Sequence, residues 1–170
     1  EDIAARWPNP PFDNSAMDGY AVRASDTKGA SLESPAKLSV IYDLPAGSVP
    51  QGPIGPGQAV RIMTGAPVPQ GADAVVMVEK TESGDGFALI KTEPRSGENI
   101  RKSGEDFKTG DIVVRAGSAI RPAEVSMLAT IGVPFVMAHK RPRVAIISTG
   151  DELCDISEVP PESKIVNSNG

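Results

Sequence analysis

The sequence is short of the residues that stabilise small secreted proteins or bind soft metals. It contains one cysteine, Cys154, and one histidine, His139. A single cysteine excludes an internal disulfide framework and any cysteine-rich zinc site. His139 lies beside Lys140 and Arg141 and has no Cys, Asp or His at a ligand spacing, while no cation next to Cys154 favours a thiolate. We assign neither residue a chemical role.

Long apolar segments and aromatic residues are also scarce. No apolar run approaches the roughly 20 residues of a membrane span, no signal peptide is visible and no Asn-x-Ser/Thr acceptor occurs. These absences favour a cytoplasmic protein. Aromatic residues make up 4% of the chain and hydrophobic residues 39%, so the core must be built from Val, Ile, Leu and Ala.

The net charge of the chain is negative. The formal net charge is −5 and no basic stripe is present, which argues against a nucleic-acid partner. Acidic side chains suit a site that holds a hard cation such as Mg²⁺. The 170 residues can form one domain or two small ones.

Glycine and proline are abundant, and they predict a fold that is mainly β with some α. Gly 17 and Pro 16 make up about a fifth of the chain, against a usual share of about 12%. Residues 58–63 alternate, with Val60 and Ile62 on one face and Arg61 on the other. We predict strands at 38–42, 58–63, 74–79, 87–91, 112–115 and 135–138, with the hairpin turn between the third and fourth at 83–86.

One helix is expected. Pro122 is a favoured first helical residue, Glu124 suits the N-terminal end of the dipole, and Gly132 can cap the C-terminal end before Pro134. Further on, the continuous apolar run 144–147 is typical of a strand buried on both faces in a parallel sheet.

The stretch 9–22, Asn-Pro-Pro-Phe-Asp-Asn-Ser-Ala-Met-Asp-Gly-Tyr-Ala-Val, is the most distinctive in the chain. Two prolines stiffen its entry, short polar residues favour turns, and Asp18 precedes a glycine at the start of a strand-like segment. A carboxylate held in this way is well placed to meet a ligand. The alternative is an ordinary Asp-Gly hairpin turn.

Three further loops carry polar groups between predicted elements, and each has a second interpretation. The loop 64–69, Thr-Gly-Ala-Pro-Val-Pro, can present a hydroxyl and backbone N–H groups to an anion, or simply end a strand. The charged run 97–106 is either a mixed site for an oxyanion and a metal or a solvated loop. The loop 148–152, Ser-Thr-Gly-Asp-Glu, follows an apolar strand where α/β sheets bind ligands, or is a turn and cap.

Residues 10–22 resemble the signature of the molybdopterin molybdenumtransferases, the MoeA and gephyrin E-domain family. The segments 61–69, 71–76, 98–101, 104–106 and 148–153 resemble the same family in the same order. Members of that family insert molybdate into the dithiolene of adenylylated molybdopterin and release AMP, which completes the molybdenum cofactor. The resemblance therefore implies a transferase whose partners are adenylylated molybdopterin and molybdate.

The resemblance also implies roles for particular residues. Asp18, Asp106 and Glu152 would hold a divalent cation such as Mg²⁺ or position water, and Thr64 with these three would form the catalytic set. Thr64 and the Gly65 backbone would contact molybdate or phosphate oxygens. The implied substrate-binding residues are Gly65, Arg101, Lys102, Ser148, Thr149, Gly150, Asp151, Asn167 and Ser168.

The family architecture implies three parts. Residues 4–107 resemble a β-rich domain of bifurcated, coiled sheets; residues 1–3 with 108–140 resemble part of a linking domain with one helix; and residues 141–170 resemble the first strand and loop of an α/β molybdopterin-binding domain. Family members are elongated homodimers whose site lies between the β-rich domain of one subunit and the pterin domain of the other. We therefore expect the chain, taken alone, to be inactive.

Two other functions compete with the enzymatic hypothesis. Gephyrin-like members also anchor receptors, so a scaffold without catalysis is one alternative, and a plain β-rich ligand-binding domain is the other. The acidic sequence has no feature that indicates a receptor, and the carboxylates of the family motifs are present. Loss of activity with retained folding in Asp18→Asn would favour the enzyme.

Overall fold

The computed structural model of the chain describes residues 1–169, which form two compact units. The first runs from Glu1 to Pro134 and the second begins at Phe135. The first unit contains strands β1 (Ile3–Ala4), β2 (Asn14–Ser15), β3 (Gly19–Val22), β4 (Ala36–Leu44), β5 (Gln58–Ile62), β6 (Ala74–Met77), β7 (Thr81–Gly84), β8 (Phe87–Ile90), β9 (Ile100–Arg101) and β10 (Ile112–Val114), and helix α1 (Pro122–Thr130). The second contains the parallel pair β11 (Leu153–Cys154) and β12 (Ile165–Val166). The prediction of a mainly β fold is confirmed.

The centre of the first unit is a six-stranded sheet in the order β6-β3-β5-β4-β8-β7. Strands β4 and β5 are parallel, and the other neighbours in this sheet are antiparallel. Both faces of its central strands are buried, because Tyr20 and Val22 of β3 join one apolar cluster and Ala21 joins the other. Apart from Tyr20, the buried residues of both clusters are aliphatic, as the low aromatic content requires. The alternation predicted for β5 is also present, since Val60 and Ile62 are buried and Arg61 is exposed.

Two predictions about turns are corrected by the strand pairing. The alternative of an Asp-Gly hairpin at Asp18 is wrong, because β2 pairs with β9 whereas β3 pairs with β5 and β6. The predicted hairpin turn within 83–86 is present, but the predicted third strand is not part of that hairpin, because β6 pairs with β3. Strand β8 lies between β4 and β7 and forms its hairpin with β7, whose residues Thr81–Gly84 are mostly exposed; the turn lies at Asp85 and Gly86. An edge strand without apolar residues carries no hydrophobic alternation for sequence analysis to detect.

Two predicted strands of the second unit are absent from the structure. Residues 135–138 and 144–147 have no strand assignment. The side chains of Val144, Ile146 and Ile147 are 81%, 72% and 81% exposed, whereas the sequence predicts a strand buried on both faces. A parallel strand needs hydrogen-bonded neighbours, and among residues 1–169 the parallel pairing of the second unit is limited to β11 and β12. The apolar pattern is present in 144–147, but the neighbouring strands are not.

The N-terminal segment is joined to the region that follows residue 108. Strand β1 pairs antiparallel with β10, and the backbone N–H of Ala5 donates to the carbonyl of Asp111 at 2.8 Å. The predicted division into 4–107, 1–3 with 108–140, and 141–170 differs from the two compact units, whose boundary follows Pro134. That three-part division stays a prediction.

Helix α1 begins at Pro122 as predicted, and the N-terminal segment caps its far end. The carboxylate of Glu124 accepts a hydrogen bond from the backbone N–H of Arg121 at 2.9 Å, which satisfies a free donor of the first turn. At the C-terminal end the indole Nε1 of Trp7 donates to the carbonyl of Thr130 at 3.2 Å. Gly132 follows with φ +67°, and its Cα faces the Trp7 ring. None of the helices in residues 1–169 has the length and apolar composition needed to cross a bilayer.

Replacing Gly132 with alanine is expected to destabilise the first unit by about 2 kcal/mol. The left-handed backbone disfavours a Cβ, and that Cβ would also displace the ring of Trp7. Urea unfolding followed by the fluorescence of Trp7, the only tryptophan, measures the loss.

The matched control is Gly117→Ala, since Gly117 has φ +80° and no atom lies within 4 Å of the position that its Cβ would take. This variant loses backbone freedom without touching the indole, so the difference between the two variants isolates the contact with Trp7. Equal losses would contradict the packing role of Trp7.

Candidate active site

The opening segment and the 64–69 loop are joined by backbone hydrogen bonds. The N–H of Ser15 donates to the carbonyl of Ala66 at 3.0 Å, and the N–H of Gly65 donates back to Ser15 at 2.8 Å. The N–H of Val68 donates to the carbonyl of Asp13 at 2.9 Å. Two segments that lie about fifty residues apart in sequence therefore form one local structure.

The charged loop 97–106 joins the same segment from the other side. Strand β2 pairs with β9, and the N–H of Ala16 donates to the carbonyl of Asn99 at 2.9 Å. The N–H groups of Gly104 and Asp106 donate to the carbonyls of Pro10 and Asn9 at 3.0 and 2.9 Å. The opening segment thus lies between the two loops, and three of the sequence motifs meet in the first unit.

Thr64 holds the carboxylate of Asp18 through two donors. The backbone N–H and the hydroxyl of Thr64 both donate to Oδ1 of Asp18, at 2.7 and 2.8 Å. The backbone hydrogen bond and then the hydroxyl hydrogen bond lower the pKa of Asp18 from its ordinary value, because both stabilise the charged form. Asp18 is therefore an exposed carboxylate that is ionised at neutral pH.

These contacts bear on the predicted oxyanion role of the loop. Both donors of Thr64 are directed to Asp18, and the N–H of Gly65 is directed to Ser15. In this structure Thr64 donates both of its hydrogen bonds to Asp18. Contact of Thr64 and Gly65 with an anion stays a prediction.

Asp106 is held by a separate pair of donors. The amide Nδ2 of Asn9 donates to Oδ2 of Asp106 at 2.6 Å, and a guanidinium nitrogen of Arg101 lies 3.3 Å from the same oxygen. Lys102, the second predicted cation, is paired with Asp13 at 2.7 Å. Both cations that were predicted to neutralise substrate charge thus have a carboxylate partner inside the chain.

Part of the predicted pterin-binding set surrounds one open cavity in the second unit. Ser148, Gly150 and Asn167 line a space of about 460 Å³, together with Leu153, Cys154, Asp155 and Ile156. The backbone of β11 and β12 brings these loops together, since the N–H of Asn167 donates to the carbonyl of Cys154 at 3.0 Å. The carboxylate of Glu152 lies over Gly150. Thr149, Asp151 and Ser168 are exposed beside these loops.

Asp18 and Asp106 can each offer one carboxylate oxygen to a hard cation, but they do not form a metal-binding cluster. Within residues 1–169 no three Asp, Glu, His or Cys side chains lie close enough together to hold a metal ion. In Asp18 the hydrogen bonds fall on Oδ1 and in Asp106 on Oδ2, so one oxygen of each can still serve as a ligand. Mg²⁺ in proteins commonly takes one or two carboxylates and completes its shell with water and substrate phosphates. The donor set is compatible with that mode.

Sequence reasoning missed two residues that hold this site. Asn9 binds the side chain of Asp106, and Asp13 binds Lys102. Both lie inside the distinctive opening stretch, where Asp13 was assigned to turn formation and Asn9 was given no role. Their partners are 97 and 89 residues away, so no local pattern connects them.

Comparison with known proteins identifies the family. A family model described as the MoeA N-terminal region (domain I and II) matches residues 1–132. The molybdopterin molybdenumtransferase of Staphylococcus aureus (strain Mu50) is 47% identical over 171 residues, and that of Bacillus subtilis (strain 168) is 46% identical over 173 residues. The matches cover 100% and 99% of this chain but 41% and 40% of those relatives.

The solved structures agree with this result. The crystal structure of the molybdopterin biosynthesis moeA protein from Pyrococcus horikoshii OT3 matches with a TM-score of 0.86 and 40% identity, over 99% of this chain and 45% of that one. The chain spans about two fifths of the length of the curated relatives given above. The motifs, the fold and these comparisons together place the chain in the MoeA family, as its N-terminal region.

Proposed function

We propose that the protein containing this chain is a molybdopterin molybdenumtransferase, which inserts molybdate into adenylylated molybdopterin and releases AMP. The observation that carries the proposal is the joining of three family motifs around the opening segment, with the Asp18 carboxylate fixed by two hydrogen bonds from Thr64 that lower its pKa. The names of the relatives, which are transferases, favour this function over the scaffold alternative.

The proposed mechanism assigns a task to each group in the first unit. Thr64 fixes Oδ1 of Asp18, and Asn9 with Arg101 fixes Oδ2 of Asp106, so the other oxygen of each carboxylate would be available to hold Mg²⁺. Bound Mg²⁺ would neutralise the negative charge of the substrate phosphates and of molybdate. The two carboxylates would thereby act on anionic substrates through the cation that they hold.

The second unit would supply the pterin side of the site. Ser148, Gly150 and Asn167 line its cavity, and Glu152 lies at the edge of the same loop. We propose that these residues bind the pterin nucleotide and that Glu152 contributes the third carboxylate. We further propose that the active protein is a cytoplasmic homodimer in which the two parts of a site come from different subunits.

The test uses the full-length protein with adenylylated molybdopterin. Molybdate and Mg²⁺ together are expected to produce stoichiometric AMP, measured by chromatography, with molybdenum bound to the pterin product. The chain of residues 1–170 alone is expected to give no AMP. If full-length protein binds the substrate yet releases no AMP with molybdate present, the proposal is wrong.

Removing divalent cations with a chelator is expected to abolish molybdate-dependent AMP release, because carboxylates alone cannot bring two anions together. Adding back Mg²⁺ restores the rate, and an equal ionic strength of NaCl does not. Unchanged AMP release in the chelator would contradict the Mg²⁺ assignment while leaving the reaction class intact.

A further inference from the structure

The loop that carries Asp106 makes several hydrogen bonds with the opening segment. The backbone N–H groups of Gly104 and Asp106 donate to the carbonyls of Pro10 and Asn9, and the hydroxyl of Ser103 donates to the carbonyl of Pro11 at 3.3 Å. Residues 101–103 and 105–106 are exposed, so little apolar burial contributes to the position of this loop.

Asp13 contacts both neighbouring loops at this junction. Its Oδ2 accepts from Nζ of Lys102 at 2.7 Å, and its Oδ1 accepts from the backbone N–H of Ser103 at 2.9 Å. Its own carbonyl accepts from the N–H of Val68 at 2.9 Å. One residue thus connects the opening segment to the Asp106 loop through its side chain and to the Thr64 loop through its backbone.

The contacts of Asp13 are charge-assisted at neutral pH. The hydrogen bond from Lys102 and then that from the N–H of Ser103 lower the pKa of Asp13 from its ordinary value, although partial burial acts in the opposite direction. Hydrogen bonds to an ionised acceptor are shorter and stronger than neutral ones. The 2.7 Å separation between Asp13 and Lys102 is consistent with such a bond.

We propose that Asp13 is a positioning residue, which fixes the loop bearing Asp106 by binding Lys102 and Ser103, and that Lys102 serves as its partner instead of as a ligand of the anionic substrate. This inference rests on the proposed function for its catalytic consequence. The brace itself, defined as Asp13, Lys102 and Ser103, is a property of the fold and can be tested separately.

The brace is expected to act locally and not on global stability. The side chains of Lys102 and Asp13 are 62% and 43% exposed, and ion pairs of that exposure contribute little to the free energy of unfolding. The other contacts of the loop with the opening segment are also hydrogen bonds, from the N–H groups of Gly104 and Asp106 and from the hydroxyl of Ser103. Loss of the brace should therefore increase local opening while the unfolding transition stays in place.

The first measurement is hydrogen exchange in the full-length protein, which needs no substrate. In Asp13→Ala the amides of Ser103, Gly104 and Asp106 are expected to exchange roughly tenfold faster, because charge-assisted hydrogen bonds are lost. The matched control is Glu82→Ala, which removes the pair of Glu82 with Lys91 at 2.8 Å between β7 and β8. Equal exchange at 103–106 in Asp13→Ala and wild type would overturn the brace.

The second measurement is the steady-state rate of molybdate-dependent AMP release. Lys102→Met is expected to lower kcat about tenfold and to raise the Mg²⁺ concentration needed for half the maximal rate, as loss of an orienting partner does at metal sites. Lys102→Arg keeps a cation opposite Asp13 and should restore both quantities. The Glu82→Ala control should match the wild type.

The outcomes separate the two proposals. If the wild-type protein releases no AMP, the proposed function fails and the exchange data still decide whether the brace exists. Faster exchange in Asp13→Ala without a change in kcat or in the Mg²⁺ requirement would overturn the positioning role. A raised KM for molybdate in Lys102→Met, with kcat unchanged and Asp13→Ala fully active, would show that Lys102 binds the anion and would also overturn it.

Discussion

Replacing Gly19 with alanine is expected to destabilise the first unit by about 3 kcal/mol. Gly19 begins β3 and lies opposite Ile62 of β5 on one side and Met77 of β6 on the other. A Cβ at Gly19 would collide with the carbonyl oxygen of Val76, which belongs to the neighbouring strand. Backbone atoms in a paired strand cannot move aside without breaking the ladder, so the cost cannot be relieved by a change of rotamer.

The loss should appear as a lower urea midpoint and as a melting temperature reduced by roughly 10 °C. Gly52→Ala is the matched control, since a Cβ at Gly52 meets nothing within 4 Å and its backbone is not left-handed. That variant should lie within about 0.5 kcal/mol of wild type. A stability of Gly19→Ala equal to that of the control would show that the register of β3 against β6 is wrong.

The sequence predicts the parts of the fold that carry a strong local pattern. Strand β5 alternates between buried and exposed side chains, and α1 begins at a proline with a glutamate in its first turn. Both were located to within a residue or two because the pattern and the structure have the same period. The short edge strand β7 has no such pattern and was missed.

The apolar run 144–147 shows that a local sequence pattern does not by itself determine burial. Continuous apolar residues are typical of a strand buried on both faces, yet burial depends on neighbouring strands and not on the run itself. In the described part of the chain these side chains are exposed.

The site was predictable as a set of segments but not as a set of contacts. Family resemblance selected Asp18, Thr64 and Asp106, and the structure joins their segments in the first unit. The partners of Asp106 and Lys102 are Asn9 and Asp13, which lie about ninety residues earlier. Such pairings follow from the folded backbone, so composition and spacing could not have found them.

The second large effect is expected at Asp18 itself. Asp18→Asn in the full-length protein should lower the rate of molybdate-dependent AMP release by about 10²–10³-fold. Asparagine keeps an oxygen that can accept from both donors of Thr64, so the loop geometry is retained. What is removed is the negative charge that would bind Mg²⁺, and the urea midpoint should stay close to that of wild type.

A companion variant tests whether the hydroxyl of Thr64 lowers the pKa of Asp18. Thr64→Val removes the hydroxyl donor and keeps the backbone N–H, so the pKa of Asp18 should rise back toward its ordinary value. A lowered pKa keeps the carboxylate charged as the pH falls, and therefore the acid limb of the rate–pH profile should move to higher pH in Thr64→Val. Thr64→Ser, which keeps the hydroxyl, should leave the limb in place.

The control for Asp18→Asn is Asp43→Asn, which removes one negative charge from an exposed carboxylate 3.8 Å from Arg61. This variant should be fully active. If Asp18→Asn releases AMP as fast as Asp43→Asn, the carboxylate of Asp18 has no special part in the reaction and Asp18 does not belong to the site.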